Sequence, residues 1–384
     1  MAPRAAERKG IVVLFRVPGL NRDDLGPVAL TLGCGLLGGF VFNYFRMPLP
    51  WMLGAMSVVT ALALTGHKVR IPGSFRQPMI VIIGVMLGST FTIEFFERAD
   101  EYVVTIALVA IYVVLASAIC MVYLVKVGRY DPVTAYFSSI PGGLMEMLVL
   151  ASAEGADERK FFLTQATRVF AVVFTIPFWY RLVEGYVPQS SSALGAPLAT
   201  ISLGDLAILT ACAIAGYYLG KVLRFPAYRL TGPLLLSAAA HLTGLTASRP
   251  PGELIILAQL VLGSIIGTRF VGVRLIEMLS TIRIALGSVL ILLSLAFICT
   301  YALQTVTGID SKVLLLTLSP GGLAEMTLIA LTLGIDVAFI TVHHLMRIVM
   351  AVFVAPLVFK ALKRFLKPQG NDGSGRRRID RSPR

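Results

Sequence analysis

Pro141-Gly142-Gly143-Leu144-Met145-Glu146-Met147 recurs as Pro320-Gly321-Gly322-Leu323-Ala324-Glu325-Met326, 179 positions further on, each copy set in apolar sequence. Proline lacks a backbone donor and paired glycines open conformations closed to other residues, so helix cannot run regularly through either copy. An ionisable glutamate then follows inside apolar sequence, where a charge is costly and marks function. Two such breaks in corresponding halves are the sequence pattern of a transporter binding site.

The repetition extends well beyond seven residues. Aligned without gaps, 131–177 and 310–356 share Asp131/Asp310, Gly155/Gly334, Asp157/Asp336, Arg168/Arg347, Phe174/Phe353 and Pro177/Pro356. Upstream, a shift of 178 pairs Cys34 with Cys212, Gly38 with Gly216, Arg46-x-Pro48 with Arg224-x-Pro226, Gly54 with Gly232 and Leu64-Thr65-Gly66 with Leu242-Thr243-Gly244. Gly84-x-x-x-Gly88 then meets Gly263-x-x-x-Gly267, and Cys120 meets Cys299. The chain reads as a tandem duplication: an N-terminal segment 1–25, a repeat over 26–182, a linker over 183–203, a second repeat over 204–364 and a disordered basic tail over 365–384.

Composition identifies the solvent. The chain is 56% hydrophobic and 14% charged, with mean hydropathy +0.81, against about 25% charged for soluble domains. Apolar runs near the ~20 residues that span a bilayer lie at 27–45, 102–125, 161–180, 205–222, 284–306 and 337–359. Shorter or glycine-interrupted runs lie at 50–66, 78–96, 231–247 and 253–270. No cleavable leader is expected, since Ile11–Leu20 is short and interrupted by Arg16 and Pro18. The four cysteines each lie in an apolar run without CxxC spacing and read as small buried residues.

Loop charges predict topology under the positive-inside rule. Arg4, Arg8, Lys9, Arg16 and Arg22 place the N-terminus in the cytoplasm, and His67, Lys68, Arg70 and Arg76 do the same for the loop they occupy. Glu94, Glu97, Asp100 and Glu101 suit the outside; Lys126 and Arg129 return inside. In the second half the basic residues fall one loop earlier, at Lys221, Arg224 and Arg229, then at Arg269, Arg274 and Arg283. The 183–203 linker has neither Lys nor Arg and reads as external, while Lys360, Lys363, Arg364, Lys367 and Arg376-Arg377-Arg378 hold the C-terminus inside. These signs agree only if the halves have opposite orientation, so each crosses an odd number of times. The expected fold is an all-α polytopic membrane protein of two inverted repeats, with about ten transmembrane helices plus two broken or re-entrant Pro-Gly-Gly segments.

The duplicated Pro-Gly-Gly-Leu-x-Glu-Met, the following Arg168/Arg347 and the glycine-rich first spans resemble the bacterial AbrB-type membrane protein family. The resemblance covers nearly the whole chain, 26–364. It implies two inherited labels, ammonia monooxygenase and regulator of gene expression, and a kinship with cation/proton antiporters and anion transporters built from inverted repeats with broken helices. A bacterial inner-membrane location follows from the same resemblance.

The residues carry their own chemistry. A helix starting at Pro141 or Pro320 leaves the amides of Gly142–Leu144 or Gly321–Leu323 without intrahelical partners, at the positive end of the helix dipole. Such an end favours anions, and Gly142, Gly143, Gly321 and Gly322 let a ligand approach the backbone. Glu146 and Glu325 are candidate proton or cation sites; the plainer reading has each pair with an arginine or cap the free amides. Arg168 and Arg347 either neutralise a motif glutamate or hold a substrate anion. His343 and His344 precede Arg347 by four and three residues on nearly the same face, where the first half has Thr164 and Gln165. The histidines read either as part of an asymmetric substrate site or as buried pairing groups. The glycine pairs at 84/88 and 263/267 read as close helix contacts, within one chain or across a homodimer.

Three function classes are in view. The first is a secondary carrier of a small, anionic solute working by alternating access. The second is a membrane-embedded ligand sensor or regulator without transport. The third, an enzyme, is disfavoured: His67, His241, His343 and His344 lack metal-site spacing, so neither metal nor cofactor is expected. No Walker motif is present to couple ATP. A sensor would carry a signalling domain, for which neither terminus offers the length. The expected partners are a small-molecule or ion substrate and the lipid bilayer. Net charge +13 comes with no nucleic-acid reader pattern, and is explained by topology and anionic lipid.

Overall fold

A computed structural model describes residues 24–97, 99–185, 195–272 and 275–366, with the side chains at 96, 99–101, 144–146, 275–279 and 364–366 outside that description. Most of the expected N-terminal segment and basic tail, and residues 186–194 of the linker, thus fall outside the described residues.

The first half runs α1 (Leu25–Tyr44), α2 (Pro50–Leu64), α3 (Gly73–Gly88), a short α4 (Ile93–Glu97), α5 (Ala99–Lys126), α6 (Pro132–Ser139), α7 (Leu144–Ala153) and α8 (Glu158–Leu182). The second runs α9 (Leu203–Val222), α10 (Tyr228–Leu242), α11 (Gly252–Thr268), α12 (Leu275–Thr307), α13 (Ser311–Leu318), α14 (Leu323–Leu333), α15 (Val337–Val349) and α16 (Ala355–Leu366), the last two joined by a π-helical turn at Met350–Val354. No strand occurs among the described residues. Among the described residues six helical stretches are long and apolar enough to cross a membrane: Leu25–Tyr44, Tyr102–Lys126, Glu158–Leu182, Leu203–Val222, Ser280–Thr307 and Val337–Lys363.

The intervening helices are shorter than a plain crossing requires. Helices α2, α3, α10 and α11 have 15, 16, 15 and 17 residues, or roughly 22–26 Å against a hydrocarbon core of ~30 Å. Chain geometry sets their ends: α2 begins at Pro50, and α2 and α10 give way to Gly66 and Gly244 at positive φ. Their middles are largely enclosed by protein, which is where a short helix is tolerated at membrane depth.

Small residues let these helices touch through their backbones. Gly38 of α1 lies against Gly54 of α2, and Gly39 against Trp51, so the two run antiparallel. The copies do likewise, with Gly216 against Gly232 and Pro233, and Gly220 against Tyr228. The later glycine pairs are contacts within the chain. Gly84 and Gly88 of α3 face Leu230 and Ser237 of α10, and Gly263 and Gly267 of α11 face Met52 and Val59 of α2. Both of these cross-half pairs run in the same direction, because position rises together along each.

The remaining helices form a second bundle that interleaves the halves. Tyr112 of α5 donates to the Leu292 carbonyl of α12 at 3.3 Å. Trp179 of α8 packs on Phe297 of α12 at 4.5 Å between centroids. Tyr180 of α8 donates to the Lys312 carbonyl of α13, and Tyr136 of α6 to Ala355 of α16, each at 2.7 Å. Duplicated aspartates start its helices: Asp131 and Asp310 cap α6 and α13, and Asp157 and Asp336 cap α8 and α15, through amides three or two residues on.

Candidate functional site

Each Pro-Gly-Gly segment is an extended gap between two half-helices. Helix α6 stops at Ser139, the chain runs extended through Ile140 and Gly143, and α7 resumes at Leu144. In the copy, α13 stops at Leu318 and α14 starts at Leu323 after extended Ser319 and Gly322. The helices therefore begin three residues later than a start at proline predicts. Met147 and Met326 donate to the carbonyls of Gly143 and Gly322, so the amides lacking intrahelical partners are those of 144–146 and 323–325. The glycines sit at negative φ (−61° at Gly143, −76° at Gly322), and closeness explains them. A β-carbon on Gly142 would stand 2.5 Å from that of Ala351, and one on Gly322 would collide with the Glu325 carboxylate, which folds back over the N-cap.

The half-helices that end at the gap leave carbonyls in protein interior, and the last spans supply their donors. Arg168 donates to the carbonyls of Ser138 at 3.3 Å and Ile140 at 3.2 Å, and to Gln165 Oε1. Gln165 Nε2 lies 3.4–3.5 Å from the carbonyls of Phe137, Ser138 and Ile140. In the copy Arg347 donates to Ser319 at 2.7 Å and to His344 Nδ1 at 3.3 Å, while His344 Nε2 donates to Leu316 at 3.0 Å. The two acceptor sets correspond across the 179-residue offset. A guanidinium at a helix C-terminus meets the negative end of its dipole, a role for the arginines that the sequence reading did not include. Among the described residues neither arginine has a carboxylate within ion-pair distance.

Both gaps open on one cavity of about 310 Å³. Pro141, Gly142, Gly143, Pro320, Gly321, Gly322, Glu325, Arg168, Arg347 and His344 all line it. Two sequence candidates stand differently. His343 is turned away, bonded to the Phe339 carbonyl and Thr105 Oγ1 at 2.8 Å each. Glu146 lies in the first turn of α7, its side chain outside the described residues.

The other bundle adds three arginines to the lining that the sequence reading took only for loop charges: Arg76 in α3, Arg229 in α10 and Arg269 just past α11. Nothing in the repeat marks them, since Ile255, Trp51 and Thr90 hold the matching places in the other half. Arg229 lies over the ring of Tyr228 at 5.3 Å, and Arg269 leaves Nη1 without a partner. Five arginines thus face one described carboxylate, Glu325.

An all-helical protein with spans of membrane length, in which two interrupted helices end on one arginine-lined cavity, is the class defined by this fold and site. The chain belongs to the AbrB family: the family described as "Transition state regulatory protein AbrB" matches residues 51–363. It is similar to "Uncharacterized protein YhjN" of Bacillus subtilis (strain 168), 24% identical over 351 residues, covering 85% of this chain and 90% of the relative. It is also similar to "Putative regulator AbrB" of Escherichia coli (strain K12), 24% identical over 350 residues, covering 91% of this chain and 98% of the relative.

Proposed function

We propose that the protein is a secondary carrier that moves a small anionic solute across the bacterial inner membrane by alternating access. The convergence of both helix breaks on one cavity with excess arginine is the observation that carries this reading. Free amides at the N-termini of α7 and α14 favour an anion at that place, and a carrier needs no chemical conversion, cofactor or nucleotide. Glu325, folded over Gly322 beside the cavity, is the candidate coupling carboxylate, with Glu146 its duplicate.

Helix directions support inverted repeats. Helix α11 is the copy of α3 by sequence, and α3 must run against α2 because a short loop joins them. A duplication in the same sense would set α11 against α2, yet the two run together. Read with the positive-inside charges, this supports a topology with both termini and the 67–76 loop in the cytoplasm and the 183–203 linker outside. Arg76 at the start of α3, Arg229 at the start of α10 and Arg269 at the end of α11 then mark the cytoplasmic mouth of the cavity. Alternating access follows if the bundle of α5–α8 and α12–α16 moves against that of α1–α3 and α9–α11.

Purified protein in proteoliposomes tests the carrier: uptake of a small anion should depend on a pH or cation gradient and lose that dependence in Glu325→Gln. Binding without flux would instead make the protein a ligand sensor, in keeping with the regulator names of its relatives. Cysteine labelling tests topology. A cysteine at Ser191 should react from outside intact cells and one at Ser374 should not; equal shielding would defeat the inversion.

A further inference from the structure

We infer that the solute is a short organic dianion with two separated carboxylates, one held by the broken-helix wall and the other by the three arginines of the other bundle. The inference rests on the carrier reading and adds the substrate class. Two independent features of the cavity carry it.

The first is the broken-helix wall. Helices α7 and α14, of 10 and 11 residues, both begin at a glycine N-cap, and the Glu325 carboxylate folds over that of α14. Behind them Arg168 and Arg347 are only 3% and 2% exposed, line the cavity, and each leaves its Nε without a partner. Both Nη of Arg168 and Nη1 of Arg347 are engaged by carbonyls that only partly offset a full charge. This wall is prepared for one anionic group.

The second is the wall supplied by the other bundle. Arg76, Arg229 and Arg269 line the cavity from three helices; the Glu325 carboxylate acts on Arg269, but among the described residues no carboxylate lies within ion-pair distance of any of the three. Arg229 meets a phenol, with Nε 3.2 Å from the Tyr228 oxygen, instead of an acid. Positive-inside placement alone asks only for charge near a helix end; it gives no reason for three guanidinium groups to line one cavity beside two anion-seeking helix ends. A monoanion would satisfy one wall and leave the other bare. The volume of about 310 Å³ is at the small end of ligand sites, suited to a short chain.

Equilibrium binding and thermal shift of the purified full-length protein discriminate, using succinate, butyrate and sulfate as probes. Succinate should bind at least tenfold more tightly than butyrate, which has the same chain length and one charge, and than sulfate, which has both charges on one centre. Arg76→Gln, Arg229→Gln and Arg269→Gln should each weaken succinate by roughly tenfold or more, as loss of a charged hydrogen bond implies. Arg249→Gln, at an exposed position, should leave it unchanged. Where a glutamine variant does not purify, the lysine variant keeps the charge and loses the fork, and should still weaken succinate. Butyrate or sulfate matching succinate, or unchanged succinate binding in all three wall variants, overturns the dianion. Butyrate uptake by proteoliposomes would then leave the carrier standing. Tight succinate binding without flux overturns the carrier and keeps the dianion.

Discussion

The last spans of the two halves do the same structural job with different side chains. In α8, Gln165 and Arg168 reach the carbonyls of Phe137, Ser138 and Ile140; in α15, His344 and Arg347 reach those of Leu316 and Ser319. An amide and an imidazole both offer an N–H to a carbonyl three residues before the break, and both offer an acceptor to the neighbouring arginine. Beyond that point the halves diverge. Helix α8 continues to Leu182, whereas α15 passes into a π-turn at Met350–Val354 whose Ala351 packs on Gly142 of the first half. Corresponding positions of the two halves keep a donor where backbone needs one and differ in the identity of that donor. One break also stands against a fixed β-carbon and the other against a flexible thioether.

The strongest break in this comparison should come where the halves are most alike. A β-carbon at Gly54 would collide with the Gly38 carbonyl, and one at Gly232 with that of Gly216, in each case backbone that cannot turn aside. Gly54→Val and Gly232→Val should therefore both fail to give folded protein, each exceeding the roughly 1–3 kcal/mol of ordinary overpacking. Yield and size-exclusion profile in detergent measure this. A monodisperse variant at one site and not the other would show that the two α-hairpins are not equivalent.

The breaks themselves should differ. Gly142 is confined by the β-carbon of Ala351, whereas Gly321 is confined by the flexible side chain of Met326. Gly142→Ala should lower thermal stability by about 1–3 kcal/mol, and Gly321→Ala by less, because the thioether can swing away. Ala351→Gly should restore much of the loss at Gly142 and none at Gly321. Equal losses, or no rescue, would remove the π-turn from the account of asymmetry.

Much of this was legible in the sequence, for a definite reason. Helix breaks, caps and close contacts depend on residues with few substitutes, so Pro141, Asp131, Asp157, Gly155 and Gly38 survive in both halves and mark their sites. Asp131 and Asp157 cap helices, and Gly155 adopts φ +82°, as Gly334 adopts φ +66°. What escaped was contact that sequence spacing does not encode. Nothing local says that Arg168 turns toward the carbonyls behind the break, or that α3, α10 and α11 bring three arginines to one wall. The helix-face argument grouped His343 with His344, but the roughly 100° between successive helical residues sends one to Thr105 and the other to the broken helix.

The arginines offer a finer test of unequal backing. Gln165 also reaches the Ile140 carbonyl that Arg168 bonds, while among the described residues Arg347 alone donates a side-chain bond to the Ser319 carbonyl. Replacing Arg347 by Met should orphan a buried carbonyl at roughly 1–3 kcal/mol; Arg168→Met should cost less, since the amide remains. Chemical or thermal unfolding of the two variants in the same detergent compares them, and a larger loss at Arg168 would reverse the argument.

The smallest effect is expected from exchanging the donors. Gln165→His places in the first half the residue that the second half uses, and His344→Gln does the reverse. Each keeps an N–H toward the carbonyl at the end of the half-helix and an acceptor toward its arginine, so each should change stability by less than about 1 kcal/mol. Anion binding should also stay near wild type, because neither swap alters the free amides of α7 and α14 or the arginines of the other bundle. Loss of binding in His344→Gln with stability intact would mean that the imidazole itself meets the solute. The two halves would then be functionally unequal at this position, and the shared task of holding the broken helix would explain only their geometry.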